Sequence, residues 1–506
     1  MAAAFLQSHG VDLDAEMQRI QFSQESIQGN AERPTPGNQV TSITTASLPS
    51  TPRGSLWNVH LDPSSRTIIS ILPANASSSS QDVSSHQNPD TSAVPKKDSS
   101  TPTAINAHGA LLTPSLCHPH IHLDKAYLLS HPAYSHLRMD RGDFAEAMEL
   151  TGKAKALFTP QDLLERGQRL IDESVAAGVT HMRAFVELDA GVGRKCLEAG
   201  LELKGKAEGE GRCRVQICAF AQLPLFTAAA DDPEGAVIRG LMEEAAAMEE
   251  VEALGGVPYV EGDEAKMLQM VDWLIDLAIE HKKHLDLHLD YNLDPNKEPW
   301  IWHIISTLRA KTWNQLNPNR TIVLGHCTRL TLFSPSSWHH LAATIQDSGL
   351  PISVVGLPTS DLFIMHQTLD IPRMIKEFNL SACIGVNNIG NAFTPHGSCD
   401  PLTLACNGVG IYQAGTERDT EVLFECVSTR AREAIGLGRQ QARSKSEGAE
   451  VEGSLRLREG DEASLLLFGH EKVAWRTRKT VAEAVYFYDH CRGRRSFLDG
   501  KEVRTT

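Results

Sequence analysis

The sequence predicts an α/β fold, a (β/α)8 barrel, from three observations. Apolar strand-like segments alternate with helix-like segments between about residues 111 and 437. Repeated strand-then-helix units over that length favour a closed parallel barrel, the TIM-barrel fold. The side chains with ligating or catalytic chemistry stand at or just after predicted strand ends, where such barrels carry their active sites. Short strand-like segments also precede and follow the barrel region.

Two patterns locate the elements of the barrel region. Strands are predicted from short apolar runs at residues 111–122, 178–186, 214–220, 285–289, 321–325, 352–355 and 382–385. Helices are predicted from apolar residues at helical spacing over 161–175 and 266–279, and from an acidic, Ala-rich composition over 240–254.

Further elements are predicted near both chain ends. The strands are residues 55–61, 66–72, 460–468 and 482–488, with a hairpin over 495–503 that turns at Asp499-Gly500. A short helix is predicted over 14–20 and a loop over 440–458. Residues 74–102 are rich in Ser, Pro, Asn and Gln and poor in apolar side chains, so they predict a disordered insertion.

The composition restricts the functional classes. The 506-residue chain is 41% hydrophobic, enough for a large core, and its net charge of −15 disfavours nucleic acid and anionic membranes as partners. Its ten cysteines form no CxxC pair, and the sequence shows neither a secretory signal nor an apolar run that could span a bilayer. These features predict a soluble, cytoplasmic protein that acts on a small molecule.

The most informative stretch is Leu111–Lys125, in which an apolar run leads into His118, His120 and His122. His120 and His122 are two residues apart, so on a strand their side chains project to the same side. Two neutral imidazoles on one face can bind a single zinc or ferrous ion. The alternative is a histidine-rich surface loop, but further ligand candidates follow downstream.

Three more polar residues stand at predicted strand ends. His288 closes an apolar, alternating segment, and His326 follows another apolar run. A lone histidine in such a position is more often structural, but with the motif histidines already placed, both favour a shared site. Gln222 follows a third apolar segment and is either a substrate-binding residue or an ordinary loop residue.

Together these residues resemble the amidohydrolase superfamily, and the His-x-His-Leu-Asp form of the motif resembles its cytosine deaminase-like branch. The likeness extends to Gly178-Val-Thr-His-Met-Arg183, to Phe220-Ala-Gln-Leu-Pro224 and to the C-terminal pattern that begins at Gly460-Asp-Glu-Ala463. It implies a TIM barrel with a small β-sandwich formed by both chain ends. The implied division is an N-terminal extension over 1–50, a β-sandwich from 51–110 and 438–506, and a metal-dependent hydrolase barrel over 111–437.

The resemblance also implies roles for the polar residues. His120, His122 and His288 would bind one divalent metal ion, zinc or iron. His326 would stabilise the developing oxyanion, and Gln222 would bind the amide edge of the substrate.

Two positions depart from the family pattern. Tyr291 stands where the family has its acid/base glutamate, and Asn387 stands at the metal-binding aspartate. An amide oxygen ligates weakly and accepts no proton, and a phenol with an ordinary pKa of about 10 is a poor base at neutral pH. Asn387 is therefore a candidate metal ligand only through its amide oxygen. Tyr291 is a candidate catalytic residue only as a hydrogen-bond donor. The alternative proton acceptors are Asp290, Asp294, Asp124 and His326. Asp290 points to the same side as His288 if the strand continues, whereas a loop there would turn it away.

The expected function is that of a metal-dependent amidohydrolase that hydrolyses a C–N bond of a small cyclic amidine, amide or imide, by deamination or ring opening. The two replaced carboxylates favour an alternative, a catalytically impaired small-molecule binder that keeps the fold and the pocket. Lyase or isomerase chemistry is a third reading of the same residues. The sequence leaves assembly into a homo-oligomer open.

Overall fold

The computed structural model describes residues 38–74, 103–227, 233–438, 454–469, 474–488 and 493–503. The helix predicted over 14–20 and all but the first residue of the predicted insertion over 74–102 lie outside these residues. Among the helices of the described ranges, none is long and apolar enough to cross a membrane.

Five strands precede the barrel in the described chain. They are β1 (Val40–Ala46), β2 (Trp57–Asp62), β3 (Thr67–Pro73), β4 (Thr103–Asn106) and β5 (Leu112–Pro114). The first of them lies within the residues that the sequence analysis assigned to an N-terminal extension, so the β-structure begins before residue 51.

The centre of the fold is a parallel sheet of eight strands, in which neighbouring strands follow one another in the chain. They are β6 (Leu116–His122), β7 (Val179–Glu187), β8 (Arg214–Ala221), β9 (Val251–Gly256), β10 (His284–Leu289), β11 (Ile322–His326), β12 (Ile352–Gly356) and β13 (Ala382–Ile384). Nearly every side chain in these strands is buried, as expected for a parallel sheet covered by helices.

The barrel closes where β6 meets the chain just beyond β13. Ile121 and Asn387 form a parallel bridge, in which the His122 N–H donates to the Asn387 carbonyl at 2.8 Å and the Asn387 N–H donates to the His120 carbonyl at 3.1 Å. These bonds join the two sides of the sheet and place Asn387 beside the histidines of β6.

Helices connect the barrel strands and cover them. They are α1 (Phe144–Lys155), α2 (Pro160–Ala177), α3 (Lys195–Gly209), α4 (Pro233–Ala247), α5 (Glu264–Glu280), α6 (Ile301–Ala310), α7 (Trp313–Leu316), α8 (Pro335–Ser348), α9 (Pro358–Met365), α10 (Ile371–Phe378), α11 (Leu402–Ile411), α12 (Glu417–Cys426), α13 (Thr429–Ala434) and α14 (Val481–Tyr486). Short 3-10 turns lie at Leu128–Ser130, Pro132–Tyr134, Pro258–Val260, Thr328–Leu332 and Ala474–Arg476.

Strands from both chain ends form two further sheets. The strands after the barrel are β14 (Leu465–Phe468), β15 (Arg494–Leu498) and β16 (Lys501–Glu502). One sheet has the order β16-β15-β14-β5 and the other β3-β2-β1-β4, and apolar side chains of both, such as Val59 and Phe497, form one buried cluster. The predicted hairpin turns at Asp499 and Gly500, both with positive φ. The predicted fold class, a TIM barrel with a small β-sandwich from both chain ends, is confirmed.

One barrel strand was predicted as helix. Residues 251–256 form β9, whereas the sequence analysis extended the acidic, Ala-rich helix to residue 254, and α4 ends at Ala247. The run has high helical propensity, but pairing with β8 and β10 in a buried sheet outweighs it. Gly255 permits this close pairing, because a Cβ there would lie 2.5 Å from the Asp286 carbonyl oxygen.

A second segment differs in the opposite sense. Residues 482–488, predicted as a strand from their alternation, form most of α14, whose first turn is capped by the Thr480 side chain. The buried residues Val481, Ala484 and Val485 also satisfy helical spacing, so the local pattern fits both structures and packing decides between them.

We predict that Gly178→Ala lowers the free energy of unfolding by about 2–4 kcal/mol. Gly178 ends α2 with φ +105°, and a Cβ there would lie 2.8 Å from Leu466 of β14. Chemical denaturation checks this, with Gly205→Ala as the matched control. Gly205 lies within α3 with no atom within 4 Å of its Cβ position, so its substitution should stabilise by about 0.5–1 kcal/mol. Equal effects at both positions would contradict the role given to the contact between α2 and β14.

Candidate metal centre and active site

Three histidines converge at the carboxyl-terminal end of the barrel strands. His120 and His122 project from β6 and His288 from β10, and ligand nitrogens of the three rings lie within 4.8 Å of one another. The ring centroids are 5.5 Å apart for His120 and His122, 4.6 Å for His120 and His288, and 5.3 Å for His122 and His288. The structure therefore brings together the three residues that the sequence analysis assigned to a metal ion.

The atoms of this cluster fit a bound cation. Nδ1 of His122, Nε2 of His288 and Oδ1 of Asn387 are buried and have no hydrogen-bond partner in the described chain. Buried polar atoms are nearly always hydrogen-bonded, so unpartnered ring nitrogens and an unpartnered amide oxygen on these residues fit a bound cation. Burial lowers the pKa of His120, His122 and His288 well below the ordinary value, which keeps the rings neutral and able to ligate.

Two phenylalanines support the histidine rings from behind. Phe185 on β7 lies 4.1 Å from His120 and 5.0 Å from His122, and Phe220 on β8 lies 4.5 Å from His288, measured between ring centroids. Both phenylalanines are fully buried. They restrict the rotation of the imidazoles, so the cluster is held in place by packing. The sequence analysis did not assign them, although both stand at the ends of predicted strands.

A buried carboxylate lies behind His120. Oδ1 of Asp286 is 3.8 Å from Nδ1 of His120, and Oδ2 accepts a hydrogen bond from Arg183 at 2.8 Å. Burial raises the pKa of Asp286 to about 7, against the opposing effect of Arg183. A carboxylate on one side of a ligating imidazole commonly selects the tautomer whose other nitrogen can bind metal. Asp286 stands two residues before His288 on the same strand. That spacing, which places both side chains on one face, is the one sequence signal that indicates a position near the site.

Asn387 presents a neutral oxygen at the same place. Its backbone closes the barrel, and its Nδ2 donates to Ser360 Oγ at 2.8 Å, which leaves Oδ1 for the cluster. Its φ of +65° is unusual for a non-glycine residue, although asparagine tolerates it better than most. The structure thus places an amide where the family resemblance implies an aspartate.

His326 lies beside the metal histidines and is held by Asp361. Its ring centroid is 5.0 Å from that of His288, and its Nδ1 shares a 2.7 Å hydrogen bond with Oδ1 of Asp361. Oδ2 of Asp361 accepts from the Leu357 N–H and the Thr368 hydroxyl, so this carboxylate is fixed through both oxygens. Nε2 of His326 remains for the cavity. The sequence analysis did not assign Asp361, which lies in the first turn of α9.

Tyr291 and Asp290 take different positions. The Tyr291 ring is 4.2 Å from that of His326, and burial raises the pKa of its phenol well above the ordinary value, so it acts as a donor. Asp290 instead points to the start of α6, where its carboxylate accepts the N–H groups of Trp300 and Ile301 at 2.7 and 3.2 Å. The chain turns at Asp290 with φ +50°, so the strand periodicity behind its assignment as a proton acceptor ends there. Asp290 is a helix cap in this structure.

A cavity of about 340 Å³, including its open mouth, adjoins the histidine cluster. It is lined by His122, Lys125, Phe144, Gln222, Tyr259, His288, Tyr291, His326, Ser360, Asn387, Asn388 and Phe393. The predicted substrate residue Gln222 is therefore in the same wall as the predicted metal and catalytic residues. Within the described part of the chain this lining contains no carboxylate, and Lys125 is its one lysine or arginine side chain.

A second group of potential ligands lies behind this wall. His122, Asp124 and Glu187 come within 4.8 Å of one another. Glu187, however, is paired with the ammonium groups of Lys125 and Lys155. The two lysines already supply the positive charge that this carboxylate requires, so the three-histidine cluster is the better metal site.

Comparison with known proteins identifies the fold. No protein-family model matches the chain, and neither does any curated protein. Among solved structures, a 5-methylcytosine deaminase from Klebsiella pneumoniae liganded with 5-fluorocytosine has a TM-score of 0.70 at 21% identity, covering 92% of this chain and 97% of that one. The N-isopropylammelide isopropylaminohydrolase of Burkholderia multivorans has a TM-score of 0.65 at 19% identity, covering 92% and 98%.

A third solved structure extends the comparison to a metal-bound protein. An adenosine deaminase from Xanthomonas campestris with bound zinc has a TM-score of 0.60 at 14% identity, covering 92% of this chain and 93% of that one. At such identities the likeness concerns the fold. The chain therefore has the fold of amidohydrolase-superfamily deaminases, and the resemblance predicted from the sequence is confirmed at that level.

We predict that the protein binds one zinc or iron ion and that His288→Ala lowers the affinity by more than about 100-fold, because removal of a direct ligand costs more than loss of an outer partner. Metal analysis after equilibration in chelator-buffered zinc measures the change. The matched control is His118→Gln, since His118 belongs to the same sequence motif but its Nε2 bonds to Ser174 of α2 at 3.1 Å. If both variants lost metal equally, or the wild type bound none, the assignment of the cluster would be wrong.

Proposed function

We propose that this protein is a metal-dependent hydrolase that cleaves a C–N bond in a small cyclic amidine, amide or imide. The observation that carries the proposal is the cluster of His120, His122 and His288 beside a cavity of a size suited to a small molecule. The similar folds support it, because two of them are by name a 5-methylcytosine deaminase and an N-isopropylammelide isopropylaminohydrolase.

The donor set is consistent with zinc or ferrous iron. Three neutral imidazoles suit both ions, and Oδ1 of Asn387 would be a weaker fourth ligand. Such an ion lowers the pKa of water and polarises the bond under attack.

The chain's own residues would orient the ring and manage its charge. Nε2 of His326, held in place by Asp361, is positioned to stabilise negative charge that develops on the attacked group. Gln222 offers both a donor and an acceptor to the ring edge, and Tyr291 offers a donor. In the overall reaction, water adds to the ring carbon, the C–N bond breaks, and the nitrogen leaves with a proton from water.

The proposal extends to partners and location. The substrate is a small molecule, and the protein acts in the cytoplasm. We expect no nucleic acid or membrane partner, because the net charge of −15 disfavours binding to these anionic surfaces. A homo-oligomer is compatible with the same function.

A non-catalytic binder is the second candidate, and the two replaced carboxylates favour it. No carboxylate reaches the cavity wall in the described chain, and Asp290 is engaged as a helix cap. His326 and its partner Asp361 then remain as the group that can receive a proton. If they fail in that role, the pocket binds its ring without turning it over.

A substrate screen on metal-loaded protein separates the two candidates. The protein is loaded with zinc or with ferrous iron and tested against cyclic amides, lactams and aminopyrimidines, following amine release and the ultraviolet absorbance of the ring. Turnover that disappears in His288→Ala supports the hydrolase. Tight binding of a ring by the loaded protein without any turnover identifies the binder and rejects the proposal.

We further predict weak or absent cytosine deamination by the natural protein, and a gain in Asn387→Asp/Tyr291→Glu. The aspartate would tighten metal binding, and the glutamate would carry protons to the ring. A general acid/base contributes about 10²–10⁴-fold in rate, so a gain should be measurable as ammonia release.

The matched control for this pair is Asn388→Asp/Tyr291→Glu. Asn388 also lines the cavity, but its Oδ1 accepts a hydrogen bond from Asn391 at 2.9 Å, so the control adds the same charge one residue away from the cluster. Robust cytosine turnover by the unmodified protein would show that another residue already does the glutamate's work.

A further inference from the structure

The cavity differs from an ordinary metal-hydrolase site in its charge. Its ligand candidates are three imidazoles and the Asn387 amide, all neutral, and a divalent ion held by them keeps its full positive charge. No carboxylate of the described chain lines the cavity, although Asp286 lies 3.8 Å from Nδ1 of His120 and Asp361 is hydrogen-bonded to His326. With Tyr291 and Asn387 at the positions of the two family carboxylates, the cavity surface itself carries no negative charge.

Lys125 adds a positive charge to this surface. The residue is 2% exposed and lines the cavity, and its Nζ lies 5.2 Å from the centre of the ring of Phe393, which also lines the cavity. An ammonium has three N–H donors, and the acceptor found for Lys125 in the described chain is one oxygen of Glu187. Two donors of a buried cation are thus left for a group inside the cavity.

Among the charged residues of the described chain around Glu187, Lys125 is the one that lines the cavity. Glu187 is shared with Lys155, which also contacts Asp189, and Asp124 accepts the backbone N–H of Glu187 at 2.7 Å. This network as a whole is not positive, because three carboxylates face two ammonium groups. Within the described chain, Lys125 is nevertheless the one member of this network that lines the cavity, although oxygens of Asp124 and Glu187 lie within 4.8 Å of a ring nitrogen of His122. A ligand in the cavity therefore contacts Lys125 rather than these carboxylates.

We propose that the substrate is an oxygen-rich six-membered nitrogen ring that is anionic at neutral pH, and that Lys125 donates hydrogen bonds to its charged oxygen. This inference rests on the proposed function and specifies its substrate class. The anion supplies the negative charge that the family carboxylates would bring, and the aromatic side chains Phe144, Tyr259 and Phe393 provide a flat apolar surround for the ring.

The test compares two probes that share a pyrimidine ring and differ in charge. Barbituric acid is an anion at pH 7, whereas uracil is neutral. Dissociation constants are measured by calorimetry on zinc-loaded and on metal-free protein. We expect the wild type to bind barbiturate at least about 10-fold more tightly than uracil in both forms. Hydrogen bonds to charged groups predict that Lys125→Met weakens barbiturate binding by about 10–100-fold while uracil binding changes little.

Lys155→Met is the matched control. It removes an ammonium from the same Glu187, but Lys155 does not line the cavity, so the preference for barbiturate should remain. Lys125→Gln keeps an N–H donor and the approximate length without the charge, and should show an intermediate loss. Thermal unfolding of each variant identifies any that fails to fold. If Lys125→Met does not fold, Lys125→Gln is compared with Lys155→Met instead.

Three outcomes would overturn the inference. They are equal affinity of the wild type for both probes, equal losses in Lys125→Met and Lys155→Met, and equal losses of uracil and barbiturate binding in Lys125→Met. These outcomes are independent of the proposed function, which is tested by turnover. If the protein prefers barbiturate to uracil but turns over no ring, the anion site is supported and the hydrolase is rejected. If it turns over neutral rings at a rate that Lys125→Met leaves unchanged, the hydrolase is supported and the anion site is rejected.

Discussion

The site depends on the closure of the barrel between β6 and the chain beyond β13. Two backbone hydrogen bonds link Asn387 to His120 and His122, so the bonds that complete the sheet also set the position of the candidate ligands. Strands at opposite ends of the sheet carry these residues, and only closure brings them together. The third histidine then arrives from β10 across the barrel, and Phe185 and Phe220 pack the rings in place. The metal centre is in this sense a product of the sheet geometry.

Charge is the property in which this site departs most from the pattern that the family resemblance implies. Buried histidines stay neutral because burial disfavours the imidazolium form, and the Asn387 amide and the Tyr291 phenol add no negative charge. The carboxylates near the site serve other groups: Asp286 faces His120 and Arg183, Asp361 holds His326, and Asp290 caps a helix. None of these three carboxylates lies on the cavity wall.

Much of the site was accessible from sequence because strand ends in a parallel barrel share one face. His120, His122, His288 and His326 each end an apolar run, and this local pattern suffices to place them at the same end of the barrel. Asp290 was misplaced because periodicity assumes a continuing strand, whereas the chain turns there into a left-handed conformation. Strand β9 was missed because its local composition favours a helix and its strand form is stabilised by partners distant in the chain.

The sequence by itself determined most of the barrel strands, several strands near the chain ends and the order of the ligand candidates, because hydrophobic periodicity and turn residues are local signals. The sandwich formed by both chain ends was implied by the family resemblance. The sequence also marked Tyr291 and Asn387 as the two positions at which the family resemblance implies a carboxylate and this chain has none. Tertiary structure alone decided which neutral atoms are left unpartnered, that Asp361 orients His326 while Asp286 lies beside His120, and that Lys125 lines the cavity while Lys155 does not. These facts depend on contacts between side chains far apart in the chain, which pattern and spacing do not encode.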